Sequence, residues 1–425
     1  MPGIIHFDRS SRQQRQVSRR TLMLGTVGCA GVAALGVLPV GAQGSGTPEA
    51  TPGGVEMGLN ARERLRALLA LVPRDRLTVP GAEAWLFAWT DLQTQLAALG
   101  NPDLMTDTES AIPVTSPLFL SDPLAAYAML PEAKEAFGFS SFQIHQTMTT
   151  GTPPDQVTYY AGGAPVDTLP ATWESAGYER KHGDAGDYWT IGENGELDLD
   201  TAVGQIGKGQ LNNIAIVSDE VIVFAPRLEL LQAVQQLAAN GGSSAADDDN
   251  LATLLGVMPD DAVSVVALPG ASLDATTIVP ENPGAQASQT LADLLAESDD
   301  AVGSMPESTM ALFGVTAGAV SGGAPDVATP AVQGNPDAFI FADLLTGSPD
   351  DAVQTGKVVL WRVQHMMSPT TGVAFSDLLV PDDAERQEST GSIAAFAFTS
   401  PKNLSVWTQM IGARDMWPFV YLTGE

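Results

Sequence analysis

Cysteine is nearly missing from this sequence. Cys29 is the only one in 425 residues, beside four histidines and 20 lysines and arginines set against 50 aspartates and glutamates. Cys29 lies in an apolar stretch near the start. Once that stretch is removed, the remainder can form no disulfide, no thiolate metal site and no cysteine nucleophile. A domain without disulfides must rest on its core, and an apolar fraction of 44% over this length is enough to build one.

The shortage of basic charge excludes another group of functions. The first 42 residues hold five of the 20 basic residues and one of the 50 acidic ones. That leaves 15 against 49, a net charge of −34 for the rest. Such a field repels phosphate backbones and anionic headgroups, so nucleic acid is excluded as a partner. The acids are scattered, as on a solvated surface that keeps an exported protein soluble.

Catalytic signatures are also missing. There is no Gly-x-Ser-x-Gly elbow, Ser-x-x-Lys, P-loop, His-Glu-x-x-His or EF-hand frame. Gly204, Gly207 and Gly209 lack the spacing of a dinucleotide fingerprint. No cofactor is expected.

What is present begins with an export signal. Arg9, Arg12, Arg15, Arg19 and Arg20 precede an uncharged, apolar run from Thr21 that ends in small residues at Val40-Gly41-Ala42. A basic head, an apolar middle and a small-residue exit make a secretory signal, with cleavage expected after Ala42. Ser18-Arg19-Arg20-Thr21-Leu22-Met23 resembles the twin-arginine signal, departing from it in Leu22 where Phe is usual and in the missing Lys. That resemblance implies export of a folded chain. Membrane contact is expected only if the signal stays uncleaved as an anchor. Residues 43–56 follow as a Pro/Gly/Thr linker.

Beyond the linker, short apolar strands recur ahead of amphipathic helices. Asn60 is placed to cap a first helix. Strands are expected at 84–88, 157–161, 221–225, 338–342 and 394–398, with helices at 92–99, 167–176, 228–237, 353–363 and 404–411. A hairpin is expected over Glu179 to Ile191 and a closing strand over 419–422. Direct strand–turn–strand links such as Asn213 to Phe224 argue against a parallel sheet. The expected class is α+β: antiparallel sheets with helices on one face, in split βαβ-like units and two related lobes. The lobes are drawn at 57–270 and 337–425, with 271–336 as a loop-rich junction interrupted by a helix over roughly 286–297. Asn240 to Asn250 reads as an exposed polar breaker.

The segments VTYYAGG (157–163), Trp173 to Tyr178, Tyr188-Trp189, VIVFAP (221–226) and MPDDAVSVVALPG (258–270) resemble uncharacterised exported α+β proteins of GC-rich bacteria. The resemblance spans about a quarter of the chain. It implies an extracytoplasmic fold, and no activity or site residue.

Four clusters deserve weighing. His182, Asp184 and Asp187 offer a metal set, against the simpler reading of a Gly-Asp hairpin tip. His365-Met366-Met367 offers soft ligands, against a helix end with core methionine. Asp247-Asp248-Asp249 lacks a calcium frame. Glu193, Glu196, Asp198 and Asp200 offer a glycosidase pair, with only Tyr188 and Trp189 as nearby aromatics. His145 stands alone. No metal is expected. The function expected is a non-catalytic extracytoplasmic protein that binds an envelope protein or small ligand; the alternative is a carboxylate-dependent hydrolase.

Overall fold

The computed structural model describes residues 59–77, 86–98, 122–127, 131–152, 154–275, 285–318, 340–368, 372–381, 391–399, 410–411 and 415–422. The signal, the linker and most of the helix expected at 404–411 lie outside these residues.

The first helix, α1 (Ala61–Leu69), starts where the sequence places it. The Asn60 side chain accepts the Glu63 N–H and the Glu63 carboxylate accepts the Asn60 N–H, both at 3.0 Å. Leu65, Leu68 and Leu69 are buried on its inner face.

Among the described residues twelve strands follow in a single sheet. They are β1 (Phe87–Asp91), β2 (Gln146–Thr150), β3 (Val157–Ala161), β4 (Glu179–Gly183), β5 (Gly186–Thr190), β6 (Asn213–Ser218), β7 (Val221–Ala225), β8 (Ala262–Pro269), β9 (Ser308–Thr316), β10 (Ile340–Thr346), β11 (Val380–Pro381) and β12 (Ile393–Thr399). The sheet order is β11-β12-β10-β9-β8-β1-β2-β3-β7-β6-β5-β4, and every pair is antiparallel. β1 joins the two halves, with Trp89 opposite Met148 on β2 and Val265 on β8.

The α+β class is what the structure shows, but the helices cover both faces of the sheet rather than one. On one face Trp89, Tyr159, Val223, Leu312 and Phe341 pack with α1, α6 (Leu228–Asn240) and α7 (Asp249–Val257). On the other face the C-terminal half packs Phe313, Ala342 and Phe396 against α8 (Ala285–Val302) and α9 (Pro349–His365). The N-terminal half of that face packs Tyr160, Ile222 and Phe224 against α3 (Pro131–Phe137), α4 (Leu169–Ser175) and α5 (Ala202–Gly207). A ninth described helix, α2 (Leu92–Ala98), follows β1 directly. The physical reason lies in the strands. β10 carries Phe341 and Leu345 on one side and Ile340, Ala342 and Leu344 on the other. A sheet that is apolar on both sides needs two covering layers.

Several boundaries shift. β1 starts three residues later than expected, and Asp91 at its end caps the next turn by accepting the Thr94 N–H at 2.9 Å. Within residues 271–336 the expected helix is present and longer, as α8, and the junction also contains β9, which is paired on both sides. The closing strand expected at 419–422 is a 3₁₀ turn, Trp417–Phe419, followed by one bridge from Tyr421 to Asp274. Asn240 to Asn250 is not a free loop. Ala245 is fully buried, its N–H bonded to the Val72 carbonyl. The described residues belong to one compact unit. Among the described residues no helix is long and apolar enough to cross a membrane.

Candidate functional site

Hairpin β4–β5 holds the sequence's first candidate. His182 and Asp187 face each other across the ladder, with Nδ1 2.5 Å from Oδ1. Arg180 holds the other oxygen of Asp187, its Nε at 3.0 Å. The hydrogen bonds from Arg180, then from His182, hold the Asp187 carboxyl below its ordinary range. Asp184 sits exposed in the turn. Among the described residues no three His, Cys, Asp or Glu side chains converge as a metal set. β4 is the end strand of the sheet and shows Glu179, Arg180, Lys181 and His182 to solvent. Charge on an edge strand blocks pairing with another chain. Behind it, Arg180 lies 5.5 Å over the Trp189 ring, which packs edge-on against Trp173.

In the acidic run 193–200 two of the four carboxylates are tied to the loop's own backbone. Glu196 accepts the Glu193 N–H at 2.7 Å and Asp198 accepts the Asp200 N–H at 3.0 Å. Asn212 donates to the Glu193 and Glu196 carbonyls, which pins the loop. Gly204 lets it approach: a Cβ there would stand 1.5 Å from the Asp198 carbonyl oxygen. Asp247 closes a capping box on Ser244, and Asp248 caps α7 through the Leu251 N–H while pairing with Arg74. His365 stacks on Trp361 at 4.3 Å, and its Nδ1 is bound to the Trp361 carbonyl. Met366 is core while Met367 is exposed. His145 is half-buried against Gly162 and Gly163, and burial pulls its pKa down.

No family model, no curated protein and no solved structure matches this chain.

Three buried polar centres escaped the sequence reading. Asp91 pairs with Arg64 at 2.7 Å. Arg362, 1% exposed, is enclosed between α8, α9 and the C-terminal segment. Asp122 accepts the Tyr160 hydroxyl at 2.5 Å and the Leu124 N–H at 2.8 Å. Only the last had a legible signal. Tyr159 and Tyr160 are adjacent in one strand, so they face opposite layers, and a buried phenol needs a partner. Ser121-Asp122-Pro123 by itself reads as a turn.

One cleft among the described residues is small. It encloses about 210 Å³ between α9 (Ala352, Val353, Gly356, Lys357, Leu360) and residues 394–396 of β12. Lys357 is its one titratable group.

Proposed function

We propose that the chain is exported by the twin-arginine route, through Arg19 and Arg20, and acts outside the cytoplasm as a non-catalytic protein that binds an envelope partner or small ligand. One observation carries the binding reading over hydrolysis. The four carboxylates that offered an acid–base pair, Glu193, Glu196, Asp198 and Asp200, all lie exposed on one loop, where Glu196 and Asp198 accept neighbouring backbone N–H groups. An acid–base pair works from a cleft that holds the substrate between its two groups, whereas these lie on one solvated loop that is bonded to its own backbone.

Three experiments test this. Export of an Arg19→Lys, Arg20→Lys double variant should fail, leaving precursor in the cytoplasm, and normal export would remove the route. N-terminal sequencing of exported protein should begin at Gln43. Purified protein should turn over nothing in a hydrolase panel while retaining a defined component of envelope extract. Turnover abolished by replacing one carboxylate would overturn the non-catalytic reading.

A further inference from the structure

The cleft between α9 and β12 has apolar walls, a gap left by a glycine and a cation at its mouth. Val353 and Leu360 of α9 face Phe396 of β12 across it. Gly356 lies between them in the middle of a helix of 17 residues. Glycine in a helix interior destabilises it relative to alanine. Crowding does not require it here, because a Cβ at Gly356 would meet no heavy atom within 4 Å. The missing side chain is therefore part of the space in the cleft.

Lys357 is exposed and lines the same cleft. Its neighbours three and four positions away on α9 are Val353, Gln354, Leu360 and Trp361, so no carboxylate stands at helical pairing distance. β12 carries no charge at all. Among the described residues Lys357 forms no ion pair, in a chain with 50 acidic residues against 20 basic ones.

The β12 wall adds a backbone group. Ala394 and Phe396 face the α9 layer, whereas the Ala395 side chain belongs to the opposite layer. Ala395 thus reaches the cleft through its main chain. The Thr346 N–H donates to the Ser392 carbonyl at 2.8 Å, and the ladder to β10 continues without a shift. Backbone direction alternates along an antiparallel strand. Ala395 therefore points its N–H and C=O away from β10, and the described pairing with β11 reaches only Phe398 and Thr399.

We infer that this cleft binds a small monocarboxylate carrying one aromatic ring or branched chain, with the apolar group beside Gly356 and the carboxylate on Lys357. This deepens the binding reading above and rests on it. A cavity of about 150 Å³ holds a benzene ring, so about 210 Å³ has room for one ring and its carboxylate. Apolar walls with a few placed polar groups are the usual make-up of a ligand site.

The test is titration of the purified full chain with phenylacetate, read by calorimetry and by NMR shifts at residues 352–360 and 394–396. Saturable binding is expected with a Kd at or below about 1 mM, an ordinary efficiency for a ligand of about ten heavy atoms. Phenylacetamide, which lacks the charge, should bind at least about tenfold more weakly. Lys357→Gln should bind the acid and the amide alike, and Lys357→Arg should restore the preference for the acid. Gly356→Leu should fill the cleft and abolish binding while its thermal midpoint stays at or above that of wild type. No saturable binding, shifts that map elsewhere, or unchanged affinity in Gly356→Leu would overturn the site. A short peptide ending in Phe that binds Lys357 more tightly than phenylacetate would overturn the small acid as occupant. Failure to bind with a blank hydrolase panel would overturn this inference alone. Phenylacetate bound at the cleft beside carboxylate-dependent turnover would uphold the site and overturn the non-catalytic reading.

Discussion

Arg362 offers the sharpest test of how the C-terminal half is held. Its Nε donates to Ser298 Oγ at 2.9 Å and its Nη1 donates to the Val420 carbonyl. Nη2 is 3.7 Å from Asp299, a carboxylate that is about a third exposed. One guanidinium thereby ties α9 to α8 and to the segment ahead of the C-terminus. Burial lowers its pKa to about 10, partly offset by Asp299, so it stays charged at neutral pH. Arg362→Ala removes two bonds from a charged donor, each about 1.5–3 kcal/mol. It also orphans the Val420 carbonyl and opens a void. Breaking such a buried arrangement costs about 3–5 kcal/mol. Arg362→Met fills the volume without a charge to desolvate and should cost clearly less than Arg362→Ala. Equilibrium unfolding in urea measures both. An Arg362→Ala protein within about 0.5 kcal/mol of wild type, the range of an ordinary surface change, would refute the tether.

Three further outcomes follow from the same structure. Burial raises Tyr159, Tyr160 and Tyr178 above 10, and Tyr421 to about 12, so the stability they represent is lost as pH climbs past 10; these four should titrate by ultraviolet absorbance only as the circular dichroism signal collapses, and reversible ionisation of all six tyrosines in folded protein would contradict their burial. Gly163→Ala would put a Cβ 1.8 Å from the Gln143 carbonyl at φ +79° and should cost at least about 2 kcal/mol, whereas Gly256→Ala, with open space on helix α7, should gain about 0.5–1 kcal/mol; equal effects in thermal unfolding would refute the contrast. Replacing Arg180 with Thr and His182 with Val strips charge from edge strand β4 and should produce concentration-dependent association in sedimentation, so a variant that stays as dispersed as wild type would show that the edge needs no protection.

The elements easiest to read were those whose signal is local. Asn60 and Glu63 stand three apart and close a capping box. Strands 157–161 and 221–225 lie where their β-branched and aromatic runs predicted. β9 was hidden because its nine residues lie between two Pro-, Gly- and Asp-rich stretches, 269–308 and 321–336, and were averaged into the junction. The acidic and histidine clusters were visible as residue types, but their roles were not, since capping and edge protection depend on which backbone N–H or partner strand stands opposite.

Local pattern therefore determined the antiparallel α+β class and the starts of the helices at Ala61, Leu92 and Leu228, because each depends on neighbours within a few residues. Tertiary structure alone decided the strand order that makes β1 the joint between the halves. It also decided the covering of both faces and the burial of Asp122 and Arg362. Those depend on segments far apart in the chain meeting in space. Tyr160 reaches Asp122 across 38 positions and Arg362 reaches Val420 across 58, and no short-range periodicity encodes such a meeting.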